Sequence, residues 1–510
     1  MSDRSATPSS EILSGASIGL LGGVGLAAVG TWSSPYVALA GLLSALGGIG
    51  VLLRPELGIY LTAFVIPLER LGRFTDDTAA VPISLMRIVG TGAFAVYALH
   101  FLVARRRPYI GRQGLVLLGF ISLVAASNLW TTDPFNTKVG LSLWLGNLLF
   151  FLLIVNAVRS TVQVRRLLVI VLVSSTLAGA YSLYQWQFGS RLQSADASAG
   201  GRWETKDRFS AVYEDTTEFA ALGDRPRLAG TTGHPTVYAA NLLCLLPMAV
   251  FLFYGSPRLL PRLAVGTAVA ILGVNLFLTG TRAAMLVVIP LGIGLLVLGL
   301  IRIRASTIAA VLLAAAIVPW VIPPKVVERI FYAENYTIER AGSIRARFCY
   351  WESGATVFAH HWLLGVGFAN MQEMPKGCDM APREGSSVHN SLLQLAMELG
   401  VVGLATFLTF LGMALRNARH AARRFRARGR GADVLCCHAL LLTLIAPVLL
   451  GFTADWHHFP MKTWWLAVGL LDVMRRLADG TLAEEAPTPL LPSVERLTAP
   501  QTRPEAPAWT

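Results

Sequence analysis

The chain has 510 residues, of which 54% are hydrophobic and 14% are charged. Soluble domains carry about 25% charged residues, so this composition excludes an ordinary soluble protein, and the long apolar runs along the chain predict a polytopic helical membrane protein. The net charge is +13, but the basic residues form short clusters between apolar runs, which is typical of cytoplasmic loops and argues against a nucleic-acid-binding face.

The apolar runs predict about fourteen membrane spans when each span is taken as roughly 20 residues. We therefore expect an all-α integral membrane bundle of about 12–14 transmembrane helices in residues 1–479. The tail 480–510 is rich in Pro, Ala, Thr and Glu, which predicts a disordered end. The expected spans lie near residues 12–30, 36–53, 57–71, 84–104, 114–131, 139–157, 164–187, 235–254, 262–280, 283–301, 306–323, 389–415, 433–452 and 456–475.

Arginine clusters predict the orientation of these helices, because cytoplasmic loops of membrane proteins are rich in Lys and Arg. Clusters such as Arg105–Arg107 and Arg416–Arg430 all fall on one side of the membrane if the N-terminus is cytoplasmic. The C-terminal tail is then cytoplasmic as well. The two long connections, 188–234 and 324–388, face outward, toward the periplasm in a bacterium. The second of these loops is expected to contain helices that lie on the bilayer surface.

Three arginines and one histidine in the outward segments are candidates for binding an anionic substrate. Arg227 precedes a glycine-rich turn, Arg282 lies in a break between two spans, and Arg347 lies in the larger loop. Guanidinium groups bind phosphate oxygens bidentately, so a pyrophosphate fits best, and the imidazole of His389 could take a proton from a hydroxyl. Ordinary explanations also exist, namely a solvated turn for Arg227 and side chains that reach the interface for Arg282 and His389.

The sequence shows no sign of a cofactor. It contains no Walker motif and no glycine-rich dinucleotide loop, and none of its five cysteines has zinc-ligand spacing. Cys349 and Cys378 are the two cysteines of the outward loops. They could pair in an oxidising compartment, although two free thiols fit the sequence equally well.

Four motifs between residues 227 and 403 occur together in one known family. They are Arg227-x-x-Gly230, Thr279-Gly-Thr-Arg282, Arg347-x-x-x-Trp351 leading to Leu364-Gly-Val-Gly367, and His389-Asn390-Ser-Leu-Leu-x-x-x-x-Glu398-x-Gly400 at the start of a helix. With these motifs the chain resembles the bacterial O-antigen ligase and O-antigen polymerase superfamily. It departs from the family at His361-Trp362, where His-Pro is frequent, and in a helix count above that usual for the ligases.

The resemblance implies an inner-membrane glycosyltransferase that is independent of metal ions and uses an undecaprenyl-pyrophosphate-linked glycan as donor on the periplasmic face. By this analogy, Arg227 and Arg282 hold the pyrophosphate and stabilise it as it leaves. His389 activates or orients the acceptor hydroxyl. The remaining residues of the substrate site are Arg347 as a loop contact, and Asn390 and Glu398 as supports of the histidine.

Two activities share these motifs: polymerisation of the repeat units of a surface polysaccharide, and ligation of a finished glycan to lipid A-core. The higher helix count favours the polymerase. A chain-length regulator and a flippase are partners that the analogy suggests, besides the donor, the acceptor and the bilayer. A transporter or flippase of an anionic lipid-linked substrate is the alternative from another class, and a structural scaffold is a third. The clustering of ionisable residues at one face, rather than in matched broken helices at the midplane, favours an enzyme.

Overall fold

The computed structural model describes residues 54–68, 84–103, 107–196, 221–222, 225–232, 234–301, 326–327, 338–370, 388–454 and 461–482. These residues form twelve α-helices, here numbered in chain order. They are α1 (Pro55–Val65), α2 (Leu85–Val103), α3 (Gly111–Ala126), α4 (Pro134–Ala157), α5 (Thr161–Asp196), α6 (Pro235–Gly255), α7 (Leu259–Leu278), α8 (Arg282–Val297), α9 (Ile338–His360), α10 (Ser391–Ala427), α11 (Gly431–Leu450) and α12 (Lys462–Asp479). Within the described residues, β-structure is limited to an antiparallel pair of two-residue strands, β1 (Ala221–Leu222) and β2 (Arg225–Pro226). The expected all-α bundle is confirmed.

Eight of the described helices, α2 to α7, α10 and α11, are long and apolar enough to cross a membrane. Helices α1 and α8 are apolar but shorter. The spans expected near 12–30, 36–53 and 306–323 lie outside the described residues. Helix α9 lies in the larger predicted loop, and the last expected span, 456–475, corresponds to α12.

Helix α12 carries five charged residues but lies inside the bundle. Its Trp464 and Trp465 are fully buried, and Lys462 and Asp472 are only 5% and 3% exposed. The ring of Trp465 lies 5.5 Å from that of Trp144 in α4, measured between centroids. Lipid tails are as apolar as the apolar side chains between the helices, so burial of those side chains does not drive helices together in a membrane. Close packing and internal hydrogen bonds hold the helices together instead.

The helices run in alternating directions, so that the arginine-rich turns meet at one end of the bundle, here called the basic end. Arg476, near the end of α12, donates to the carbonyl oxygen of Val155 at 2.7 Å and lies 3.8 Å from the ring centroid of Tyr109. Arg165, near the start of α5, pairs with Asp433, near the start of α11, at 3.0 Å. Turns that are distant in sequence therefore share this end, as the alternation of the clusters predicts.

Candidate active site

His389 stands immediately before α10, with a backbone φ of 56°. This left-handed conformation is uncommon for a residue that carries a side chain. The imidazole is exposed, and its ring meets the ring of Tyr350 in α9 edge-on, with centroids 5.7 Å apart and planes at 73°. The histidine is therefore open to a ligand, and Tyr350 borders it on one side.

Asn390 begins α10 as its N-cap residue. Its side-chain oxygen accepts hydrogen bonds from the N–H groups of Leu392 and Leu393 at 3.2 and 3.1 Å, which satisfies two of the donors that a helix start leaves without intrahelical partners. The next residue, Ser391, donates its N–H to the carbonyl oxygen of Gly451 at 2.7 Å. The start of α10 is thus attached to the end of α11, and the observed contacts of Asn390 support this turn.

A buried relay of hydrogen bonds connects Glu398 to the backbone beside His389. Gln394 and Glu398 are both 0% exposed. Nε2 of Gln394 donates to Oε1 of Glu398 at 2.7 Å, and Oε1 of Gln394 accepts the N–H of Val388 at 2.8 Å. Since Val388 directly precedes His389, the relay holds the backbone that carries the imidazole.

Gln394 is a residue that sequence reasoning missed. A pattern in the sequence could have found it, because Asn390, Gln394 and Glu398 follow one another at intervals of four and so share one face of an otherwise apolar helix. Three polar residues on one face of a membrane helix need partners, and here they supply partners to one another and to the adjoining turn.

Helix α10 is broken at Gly400, whose φ and ψ are 64° and −167°. Inside a membrane, the backbone groups that such a break releases need other partners. The segment 362–367, which follows α9, supplies them. The bridging hydrogen bonds run from Val401 N–H to Trp362 O (2.7 Å), Val402 N–H to Leu363 O (3.4 Å), Val366 N–H to Met397 O (3.1 Å) and Gly367 N–H to Glu398 O (2.9 Å).

Two glycines make this close contact between backbones possible. A Cβ atom at Gly400 would lie 2.2 Å from the carbonyl oxygen of Leu363, and one at Gly365 would lie 2.3 Å from the carbonyl carbon of Glu398. Both glycines also have positive φ angles, 64° and 68°. The motifs that contain these glycines therefore have a structural explanation, since they join the chain after α9 to the helix that follows the histidine.

The two arginine motifs before α6 and α8 meet directly. Nε of Arg227 donates to the carbonyl oxygen of Thr279 at 2.8 Å, and Nη2 donates to the hydroxyl of Thr281 at 3.1 Å. Thr281 is the N-cap residue of α8 and Arg282 is its first residue. Arg227 therefore packs on the turn that presents the half-buried Arg282.

The arginine pair and the histidine lie at the same end of the bundle. Helices α6 and α11 pack side by side, and the hydroxyl of Thr443 donates to the carbonyl oxygen of Cys244 at 2.9 Å, each near the middle of its helix. As the two helices are antiparallel, Pro235, which begins α6 after the Arg227 motif, is level with Leu450, which ends α11 beside the start of α10. This end is opposite to the basic end.

Arg347 belongs to α9, three residues before Tyr350 and four before Trp351. Residues at these spacings share one helix face, so Arg347 lies on the face whose Tyr350 meets His389. Cys349, in the same turn, is disulfide-bonded, whereas Cys244, Cys436 and Cys437 are free. The fifth cysteine, Cys378, lies outside the described residues.

The arrangement places guanidinium groups and the imidazole of His389 at the same end of the molecule. The positive charge comes from guanidinium groups, which suit an anion with several oxygens. In the described part of the chain, no group of three or more His, Cys, Asp or Glu side chains could hold a metal ion. The chemistry that these side chains can perform is anion binding and proton transfer.

Comparison with known families gave a match for residues 240–408, which fit the family described as O-Antigen ligase. A comparison with curated proteins found no match. The matched segment extends from α6 into α10 and includes Arg282, Arg347, His389 and Glu398, whereas Arg227 precedes it. This match over residues 240–408 confirms the resemblance of the chain to the O-antigen ligase and polymerase superfamily.

Proposed function

We propose that the protein transfers a glycan from an undecaprenyl-pyrophosphate carrier to a hydroxyl group of a second glycan, at the periplasmic face of the bacterial inner membrane. The observation that carries this proposal is the contact between the Arg227 and Arg282 motifs at the end of the bundle where His389 precedes α10. Guanidinium forks suit a pyrophosphate, and the match of residues 240–408 supports a role in O-antigen assembly.

The proposed reaction forms one bond and breaks one bond at the anomeric carbon of the donor. The acceptor oxygen attacks this carbon, and the bond to the pyrophosphate oxygen breaks. Arg227 and Arg282 stabilise the negative charge that develops on the leaving pyrophosphate, without need of a metal ion. His389 accepts the proton of the acceptor hydroxyl as a general base and afterwards releases it to water. Arg347 contacts the substrate from α9, and Asn390 and Glu398 support the position of the histidine.

Two observations support the periplasmic placement of this site. The arginine pair and His389 lie opposite to the basic end, and a basic end is typical of the cytoplasmic side. The disulfide bond of Cys349 suits an oxidising compartment such as the periplasm. Both termini are then cytoplasmic.

A purified protein in lipid nanodiscs tests this function directly. With a synthetic polyprenyl-pyrophosphate glycan as donor, a glycan acceptor, chelator and no nucleotide, we expect a longer glycan and free polyprenyl pyrophosphate. The His389→Ala variant should give neither product. In proteoliposomes, movement of the intact donor across the bilayer without any transfer would instead identify a transporter.

We propose polymerisation of the repeat units of a surface polysaccharide as the specific activity, because the predicted helix count exceeds that usual for the ligases. Ligation to lipid A-core is the second candidate, since the family that matches residues 240–408 is described by that activity. A deletion strain separates them. Single repeats on lipid A-core without long chains identify a polymerase, whereas intact polymer retained on its lipid carrier identifies a ligase. A polymerase would act beside a flippase and a chain-length regulator.

A further inference from the structure

A second pair of cations lies along α4, on elements that the proposed active site does not use. Arg87, in the first turn of α2, donates from Nη1 to the hydroxyl of Ser142 at 2.9 Å. Lys462, the first residue of α12, donates from Nζ to Oδ1 of Asn147 at 2.5 Å. Ser142 and Asn147 both belong to α4, so one helix brings these two cations together.

The two cations line one groove between α2, α4 and α12, here called the Arg87–Lys462 groove. Apart from Thr91, its other lining residues are apolar or glycine, and they include Leu143 and Phe150 of α4. Gly146 also lines the groove. A Cβ atom at this position would lie 3.8 Å from Nζ of Lys462, so the glycine leaves room beside the ammonium group. The groove therefore combines positive charge with apolar surface.

The groove is recessed from the end of the bundle where the proposed active site lies. Ser142 is eight residues after Pro134, the first residue of α4, which places it about 12 Å along the helix at 1.5 Å per residue. Lys462 is 5% exposed, and both cations stand in the first turns of helices that begin at this end. A cation costs about 2.5–3.5 kcal/mol at the centre of a membrane helix on the insertion scale, and those that occur there mostly serve a function.

We propose that the Arg87–Lys462 groove binds the phosphate of a polyprenyl carrier lipid. The guanidinium of Arg87 and the ammonium of Lys462 contact the phosphate oxygens. The isoprenoid chain lies along the apolar wall that includes Leu143 and Phe150. The choice of a polyprenyl lipid rests on the proposed function, which brings that phosphate lipid to this end of the bundle.

A second carrier site has a consequence for the reaction. Ligation to lipid A-core needs one polyprenyl carrier, that of the donor. Polymerisation in which both donor and acceptor are carrier-linked needs room for two. A groove that holds a carrier phosphate at the same end of the bundle as Arg227 and Arg282 would provide the second of these two places.

Native mass spectrometry of the full-length protein, released from nanodiscs, tests this site. The probes are undecaprenyl phosphate, phosphatidylglycerol and inorganic phosphate, each titrated separately. The variants are Arg87→Gln and Lys462→Met, with Arg112→Gln as the matched control, because Arg112 is an arginine in the first turn of α3 at the basic end, away from the groove. The conservative variants Arg87→Lys and Lys462→Arg, with melting temperatures, separate loss of the site from loss of the fold.

We expect wild type to bind two molecules of undecaprenyl phosphate, and each groove variant to bind one of them about tenfold to a hundredfold more weakly, which is typical of a lost hydrogen bond to a charged group. Arg112→Gln should bind like wild type. Unchanged binding by folded Arg87→Gln and Lys462→Met proteins would overturn the proposal, as would equal binding of phosphatidylglycerol or of phosphate alone. The outcome differs if the groove binds the lipid but the proposed function is wrong. The groove variants would still lose one molecule, whereas Arg282→Ala would bind both, because Arg282 would hold no donor.

Discussion

At the scale of single residues, the backbone of His389 is held in an uncommon conformation by its neighbours. A residue held in the left-handed region costs on the order of 1–3 kcal/mol and persists only where the surrounding structure determines it. Three neighbours do so here: Val388 is held by Gln394, Asn390 caps the helix, and Ser391 bonds to the end of α11. Strain of this kind at an exposed imidazole is typical of functional sites.

The backbone of His389 can be tested separately from its ring. Glycine adopts positive φ without steric cost, so we expect His389→Gly to be more stable than His389→Ala by about 1 kcal/mol. Both variants should lose glycan transfer, because both lack the imidazole. Melting temperatures in detergent measure the first effect and the nanodisc assay measures the second. A glycine variant that melts below the alanine variant would contradict the strained conformation.

Gln394 is expected to act as a positioning residue. Gln394→Leu keeps the volume of the side chain but leaves the N–H of Val388 and the carboxyl group of Glu398 without this partner, at about 1–3 kcal/mol for each buried group. We expect kcat to fall about tenfold or more while KM for the donor changes little.

Glu398→Gln is the matched control for the relay, because its amide oxygen can still accept the hydrogen bond from Gln394. Its turnover should stay near that of wild type. A large rise in KM for Glu398→Gln would show instead that the carboxylate contacts substrate directly.

The two site arginines differ in what they touch. Arg227 already donates to Thr279 and Thr281, so its substitution should disturb the turn that presents Arg282 as well as any ligand. For Arg282→Ala we expect transfer to fall on the order of 10²–10³-fold, as for other lost donors to a developing negative charge. Arg282→Lys should restore only part of this loss, because an ammonium group does not form the bidentate fork. Full activity of Arg282→Lys would exclude a bidentate contact with the pyrophosphate.

At the scale of elements, hydropathy predicted which segments are helical, but it could not predict how they end. The span expected at 389–415 corresponds to the 37-residue α10, which extends to Ala427. Hydropathy missed the last turns because they are basic. The break at Gly400 was also not predictable, since a glycine within a helix pattern is tolerated more often than it is kinked. The role of Lys462 was likewise not predictable, because its partner Asn147 in α4 is distant in sequence.

The break in α10 predicts a sharp contrast between two glycines of the same helix. Gly400→Ala would place a Cβ atom 2.2 Å from the carbonyl oxygen of Leu363, on a backbone with positive φ, so we expect a protein that is destabilised and inactive. At Gly412, a Cβ atom would meet no atom of another described element within 4 Å, so Gly412→Ala should be neutral or stabilising by roughly 0.5–1 kcal/mol. Melting temperature and transfer rate check both variants. Equal behaviour of the two would mean that the break does not support the site.

At the scale of the whole molecule, the alternation of helix directions is what brings the motifs together. Arg227, Arg282 and His389 are far apart in sequence, yet each stands where a helix begins at the end opposite to the basic end. The arginine clusters alone predict that common end, because all of them fall on one side of the membrane. Their agreement also checks the helix count, since one miscounted helix would invert every later cluster. The direct contact of the Arg227 and Arg282 motifs was not predictable, because it depends on how α6, α7 and α8 pack.

The same alternation makes the orientation in the membrane testable. Cysteines introduced at Gly200 and Lys376, in the two loops expected to face outward, should react with a membrane-impermeant thiol reagent added to intact spheroplasts. A cysteine at Arg428, exposed in the turn between α10 and α11 at the basic end, should react only after the membrane is permeabilised. The native cysteines Cys244, Cys436 and Cys437 are buried and Cys349 is disulfide-bonded, and the unsubstituted protein labelled in parallel gives the background, including that of Cys378. If the Arg428 position reacted in intact spheroplasts and the loop positions did not, the site would face the cytoplasm, and a periplasmic transfer reaction would have to be abandoned.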